Sequence, residues 1–210
     1  MKGKTLVGLV ASLTLLLPET GEPLLLKIQP GESQVWFDAT AALLGEFRGM
    51  SDRVMGWIKV ANLMEPKGAE AYAEIEAKSL KTGIGRRDRD MMGYLEVEKY
   101  PKITFLLKEA HESARQGATF SLILQGDLTI HGVTRPIAIP VEASPSEGRL
   151  RVEGKVDLRM SDFAIKKPRF PFLPLITVKD EVTVSFHIVA VEEGEGSLGA
   201  EGRRSGGAGE

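Results

Sequence analysis

Three stretches of the chain alternate apolar and polar residues with a period of two. From Phe120 to Ile130, Phe120, Leu122, Leu124, Leu128 and Ile130 share one face, while Ser121, Gln125, Asp127 and Thr129 share the other. Only Ile123 breaks the alternation. From Arg149 to Met160, Leu150, Val152, Val156, Leu158 and Met160 oppose a charged face of Arg149, Arg151, Glu153, Lys155, Asp157 and Arg159. Glu181–Ala190 repeats the pattern with Val182, Val184, Phe186, Ile188 and Ala190 on the apolar side. Strand geometry sends successive side chains to opposite faces, so each stretch predicts a half-buried strand.

Weaker alternation predicts further strands at Leu24–Gln29, Gln34–Ala41, Val54–Ala61, Ala69–Lys78, Lys102–Glu109 and Val133–Ala143. The turn-rich stretches QPGES, EPKG, RQG, IHGVTRP and SPSEG separate them. About eight strands, each with one dry and one wet face, fit an all-β antiparallel barrel or sandwich. Closure removes exposed strand edges, which favours the barrel.

One segment departs from period two. Between Arg87 and Val97, Met91, Tyr94 and Leu95 fall at helical spacing with Met92 alongside, so a short helix is expected at one end of the barrel. Pro101 disfavours helix at Tyr100 and ends it. Asp88 and Asp90 precede the apolar residues, where carboxylates favour a helix start.

The flanks read differently. Lys2 and Lys4 precede an apolar run from Thr5 to Leu17, so residues 1–23 read as a signal peptide or N-terminal anchor. Residues 24–191 form the expected domain. Residues 192–210 are glycine-rich without an apolar face and read as a disordered tail. The 210 residues are 42% hydrophobic and 27% charged, with a net charge of -2, which gives no general attraction to nucleic acid. The absence of cysteine excludes disulfides and thiolate chemistry.

Small side chains occupy one face of two expected strands: Ala69, Ala71, Ala73, Ile75 and Ala77 on one, Val35, Phe37, Ala39 and Ala41 on the other. Such faces either pack closely on a neighbour or leave a barrel interior hollow. His111, His131 and His187 show no metal-ligand spacing and read as solvated; no metal and no cofactor is expected. The cluster Arg86–Asp90 offers either a polar collar or, as an alternative, the charged groups of an enzyme acting on a lipid-like substrate.

The stretch SLKTGIGRRDRDMMGYLEVEKYPKITF, with Thr82-Gly83, Arg87-Asp88, Met91-Met92, Leu95 and Tyr100-Pro101-Lys102-Ile103, resembles the YceI-like family. GDLTIHGVTRPIAIPV is similar to that family's glycine-turn hairpin, and VDLRMSDFAI with VKDEVTVSFHI to its last two strands. The resemblance covers roughly Ile28 to Val191. Two features depart from the family pattern: Asp88-Arg89-Asp90 stands where a histidine is usual, and KKPRFPFLPLI is rich in proline and aromatics. The resemblance implies a lipocalin-like barrel around an apolar tunnel for a long isoprenoid or amphiphilic lipid, in a periplasmic or otherwise exported protein. It makes the chain a binding protein and not an enzyme, with a barrel filled by its own side chains as the structural alternative. Tunnel candidates are Phe37, Ala39, Ala71, Ala73, Ile75, Met91, Met92, Tyr94, Leu95, Phe105, Phe120, Leu122, Leu124, Val156, Leu158, Phe163 and Phe186. Arg87 and Asp88 are the candidate polar rim. Transient membrane contact is expected through Lys166–Ile176, where Phe170, Phe172, Leu173 and Leu175 accompany Lys166, Lys167 and Arg169.

Overall fold

The computed structural model describes residues 22–168 and 177–193. The expectations for the N-terminal leader, for the glycine-rich tail and for most of the Lys166–Ile176 segment fall outside those residues. Ten strands are present among the described residues: β1 Leu24–Ile28, β2 Gln34–Ala41, β3 Gly45–Ser51, β4 Val54–Val60, β5 Glu70–Glu76, β6 Lys102–Gln116, β7 Thr119–Ile130, β8 Val133–Ser146, β9 Arg149–Arg159 and β10 Val178–Glu192. One helix, α1, spans Gly85–Tyr94, and short 3₁₀ turns occupy Ala77–Ser79 and Met160–Phe163.

Every strand pairing is antiparallel. The order β1-β4-β5-β6-β7-β8-β9-β10 closes on itself because β10 returns to β1. Eight strands therefore form the ring, and closure leaves no terminal strand within it. Strand β10 uses one edge twice. Val178 to His187 pair with β2, and Ala190 to Glu192 pair with β1. The hairpin β2–β3 thus extends the wall beyond the point of closure. Met50 of β3 exchanges backbone hydrogen bonds with Lys81 at 2.8 and 2.9 Å, which ties this hairpin to the chain entering α1.

The strands that alternate cleanly form as expected, and several run further. Strand β6 continues to Gln116 instead of ending at Glu109, with register shifts between Leu107 and Glu109 and between Glu112 and Ala114. Bulges of this kind let a strand bend and continue past a break in its pattern. Strand β8 contains Pro136 and Pro140, which pair with β7 but lie before the start of pairing with β9 at Val141. A missing N–H is tolerated where a strand has one neighbour only. Strand β10 extends to Glu192, and the Glu193 N–H donates to the Leu25 carbonyl at 3.0 Å, so the regular chain passes the expected boundary at 191.

The densest packing lies toward the end where β1 closes the ring. Leu26 and Ala190 have no exposed surface, and Phe120 has 1%. Register places Leu26 opposite Ile58, Leu150 opposite Ala190, and Phe120 opposite Ala143. Toward the other end the small cluster of Ala39, Ala41 and Val178, with Phe37, Phe47, Met160 and Val182 against it, lines the wall formed by β2, β3 and β10.

Candidate functional site: a hollow barrel and its mouth

The inward faces of the ring, with the β2–β3 hairpin and α1, border a cavity of about 1320 Å³ that opens at one end. Small-molecule pockets commonly measure about 300–1,000 Å³, so this interior is larger than a compact ligand needs. Its wall carries Phe37, Ala39, Ala71, Ala73, Ile75, Met91, Tyr94, Leu95, Phe105, Phe120, Leu122, Leu124, Val156, Leu158, Phe163 and Phe186. Of the tunnel candidates, Met92 alone is not on the wall. Helix α1 ends with Glu96 at φ 46, its N–H donating to the Gly93 carbonyl, while the Val97 N–H donates to the Met92 carbonyl at 3.2 Å. This left-handed cap favours apolar contact between the residue two past the C-cap, Leu95, and the third from the helix end, here Val97 and Met92. Met91, one position earlier, faces the interior instead.

Two features of the wall keep it open. Alanines at 39, 71 and 73 project little volume inward. Large rings lie against glycines. A Cβ on Gly154 would come within 2.5 Å of Phe186 Cζ and 2.8 Å of a Val141 methyl, and one on Gly126 within 2.6 Å of Phe105 Cζ. Gly49 is likewise covered by Phe37, its direct cross-strand partner. Each ring fills the place of a missing side chain, so it lies along the wall and leaves the centre free.

Several wall residues lie outside the candidate set. Ile139, Val152 and Ile188 belong to strands whose alternation was visible, and their inward positions follow from the same period. Leu44 precedes β3, and Glu46 and Phe47 lie in it; its sequence GEFRGMS has two glycines and two charges in seven residues and gives no period-two signal.

The helix forms one side of the mouth. Arg86, Arg87, Arg89 and Asp90 reach the cavity edge, and the Arg87 guanidinium lies 4.5 Å above the Phe47 ring. Asp88, expected beside Arg87 on the rim, is not on the cavity wall. It is 8% exposed and accepts hydrogen bonds from the Thr82 N–H at 2.7 Å and the Thr82 hydroxyl at 2.6 Å. Thr82 stands two residues before the helix N-cap, Ile84, which has no side-chain cap of its own. Asp88 therefore secures the helix entry by reaching backwards from the first turn. The Thr82 hydroxyl foremost, opposed by burial and aided by the Thr82 N–H and the Lys81 and Arg87 charges, holds its carboxyl below the ordinary range. A carboxylate so stabilised is a poor base near neutral pH.

His131 also differs from expectation. Its side chain is 9% exposed rather than solvated. Nδ1 lies 3.1 Å from the Phe163 carbonyl oxygen, the Tyr100 ring centroid is 4.6 Å away, and Nε2 is 3.4 Å from Glu96. The residue and Gly132 form the β7–β8 turn with φ of 52 and 72. A Cβ on Gly132 would strike the Tyr100 ring, so only glycine lets the turn sit against it. His131 thereby links this turn to the helix exit and to the Met160–Phe163 turn. His187 pairs with Glu153 at 2.9 Å and His111 with Glu109 at 3.1 Å. Among the described residues no three histidine or acidic groups gather as metal ligands.

Glu74, which alternates with the small residues of β5, is 14% exposed at its side chain and borders the cavity. Lys102 donates to it at 2.8 and 2.9 Å, and the Tyr72 hydroxyl at 2.6 Å. Lys102 first, then Tyr72, lowers the Glu74 pKa, while the Glu74 carboxylate raises that of Tyr72 to about 12. The three groups satisfy one another and brace β5 against β6.

A closed antiparallel ring, one short helix and a large apolar interior define a hollow β-barrel of the lipocalin-like kind. Residues 26–190 match the model of the YceI-like domain, and the chain belongs to the YceI-like family. Among curated relatives it is 31% identical over 112 residues to a UPF0312 protein of Pseudomonas savastanoi pv. phaseolicola, covering 50% of this chain. The match spans 56% of that relative, so the chain aligns with about half the length of the curated relatives it matches. Among solved structures, BcnA of Burkholderia cenocepacia superposes with a TM-score of 0.66 at 20% identity, covering 78% of this chain and 99% of BcnA. A polyisoprenoid binding domain from Saccharophagus degradans, implicated in plant cell wall breakdown, gives 0.65 at 16% identity, covering 81% of this chain and 99% of that one. At these identities the likeness establishes the fold.

Proposed function

We propose that this chain binds a long apolar ligand, a polyisoprenoid, isoprenoid quinone or similar amphiphilic lipid, inside the barrel and sequesters or transports it. The observation that carries this reading is the 1320 Å³ interior with its alanines and its rings laid over glycines. At about 30 Å³ for a water-sized group, it has room for roughly forty such groups. That volume suits a chain better than a compact molecule. Each buried CH₂ contributes about 0.8 kcal/mol, offset in part by ordering of the chain. The polyisoprenoid binding domain among the structural neighbours supports the same ligand class. The mechanism is desolvation and shape selection, with the polar group of the lipid left near the mouth. Enzymatic use of the Arg86–Asp90 cluster is disfavoured because Asp88 is committed to Thr82. Export to the periplasm or beyond is supported by Lys2, Lys4 and the apolar run that follows.

The test is mass spectrometry of gently purified protein, followed by extraction and identification of any bound lipid. A stoichiometric long-chain lipid is expected. Protein that purifies empty and takes up no isoprenoid from detergent micelles would contradict the assignment.

A further inference from the structure

We propose that the mouth beside α1 is a docking face for an anionic lipid bilayer, with the β2–β3 turn entering the membrane interface and the helix arginines lying among its phosphates. The inference rests on the reading that the interior holds a water-insoluble chain, which must enter from a membrane or another carrier. It adds the surface from which that chain comes.

The first observation is apolar exposure. Leu43 is 80% exposed, Leu44 64% and Ile84 50%, and Leu44 and Ile84 also reach the cavity edge. Leu43 does so at φ 67, in a left-handed conformation that glycine or asparagine adopts far more readily. The turn thus carries a leucine against both solvation and local backbone preference, and strain of this kind at an exposed site points to a binding role. The adjoining Ala42 N–H donates to the Thr177 carbonyl at 2.8 Å, which anchors the base of the turn to the start of β10.

The second observation is charge. Arg86, Arg87, Arg89 and Lys166 line the same mouth, and none forms an ion pair within 4 Å among the described residues. Glu46 and Asp90 are the acids beside them. Two further acids are on the cavity wall: Glu74, held by Lys102, and Glu96, whose carboxylate lies 3.4 Å from His131 Nε2. Arg159 stands opposite Glu181 and is left out. With Glu96 counted, four cations face three acids on the lining of the mouth, and Asp88 lies off it, bonded to Thr82, so the lining is positive on a chain whose net charge is -2. Cations surrounding exposed aliphatic side chains match an interface with buried acyl carbon beneath anionic headgroups. That opposition of signs would also turn the open end of the barrel toward the membrane.

The experiment is flotation of the full chain with vesicles of phosphatidylcholine alone and of phosphatidylcholine mixed with phosphatidylglycerol. Tighter binding to the mixed vesicles than to the neutral ones is expected, over the contribution the run Thr5–Leu17 makes to both. Arg86→Gln with Arg89→Gln should weaken that binding about twenty-five-fold, at about fivefold per cation. Leu43→Asn suits the left-handed turn, so it should melt no lower than wild type, yet bind mixed vesicles about tenfold more weakly. The apolar run Thr5–Leu17 is common to all variants and cancels in the comparison. Equal binding to both vesicle types, or unchanged binding of Leu43→Asn, overturns the proposal. So does a wild-type chain that stays off vesicles but self-associates through Leu43 in sedimentation, because the face would then belong to a second copy. The lipid content of purified wild type is read separately, so failure of docking and failure of the ligand assignment give different results.

Discussion

Replacing Ala73 with tryptophan asks whether the barrel interior is space or packing. Ala73 lies in the middle of β5 on the cavity wall, with Gly56 of β4 opposite it on one side and Phe105 of β6 on the other. Gly56 offers no side chain, so an indole at position 73 has room on that side before it meets the lumen. In a packed core the change would overfill the site and cost about 1–3 kcal/mol or more. In a hollow barrel of 1320 Å³ it should cost little, and the delipidated variant should melt close to delipidated wild type. Delipidation matters because bound ligand raises apparent stability by mass action. The effect should appear in binding. An indole displaces a length of about five carbons, which at about 0.8 kcal/mol each removes about 4 kcal/mol, or roughly a thousandfold in affinity. The assay pairs thermal melts with quantified lipid after reloading from micelles. Glu142→Trp, on an exposed position of β8 off the cavity wall, is the control and should load normally. An Ala73→Trp protein that unfolds readily, or that still loads a full complement of lipid, refutes the placement of the ligand along β5.

Two further outcomes test the parts that hold the wall and the helix. Gly154→Ala should destabilise by about 1–3 kcal/mol, because its methyl meets the Phe186 ring and a Val141 methyl, and adding Phe186→Leu should recover part of the loss in urea melts. No recovery would mean that the ring does not depend on the glycine for its place. Asp88→Ala should cost about 2 kcal/mol near neutral pH by leaving the Thr82 donors without their acceptor. Since the folded carboxyl titrates below its unfolded value, its contribution is present above the unfolded pKa and lost as pH falls through the folded one. The stability gap between wild type and variant should therefore narrow below about pH 4, and a gap that stays constant would remove Asp88 ionisation from the account.

The strands with one dry and one wet face were legible because burial imposed the period directly, as in β7, β9 and β10. So was the helix, since Met91, Tyr94 and Leu95 keep helical spacing. Strand β3 was not, because Gly49 is there to admit the Phe37 ring and Gly45 holds a turn at φ 83, so its composition answers to a neighbour and a bend. The inward positions of Ala71 and Ala73 could be read from alternation, whereas the laying of Phe186 and Phe105 over Gly154 and Gly126 depends on cross-strand register, which one strand's sequence does not contain. Asp88 carried two readings, a carboxylate at the helix start and a rim residue beside Arg87; it sits in the first turn of the helix and off the wall, and its bonds to Thr82 depend on how the chain folds back before the helix. His131 was read as solvated because a hairpin turn is usually exposed, and the approach of Tyr100, Glu96 and Phe163 to that turn is tertiary.

The hollow interior also constrains the state in which the protein works. Cavities opened in packed cores cost about 24 cal/mol per Å³, which over 1320 Å³ would come to about 32 kcal/mol, beyond the net stability of a domain. That coefficient describes packing removed from a core that relaxes little, and this wall was never packed across its centre. Its rings and small residues pack sideways along the strands, over glycines 49, 126 and 154, and the backbone hydrogen bonds run around a closed ring. The inward faces of Ile75, Leu122 and Val156 border the lumen, and an apolar cavity gains little from water. A flexible apolar chain, as proposed, would add contacts to those faces without disturbing the lateral ones. The dense end around Leu26, Phe120 and Ala190 would then carry the folding stability, and the interior between it and α1 would be completed by the bound chain.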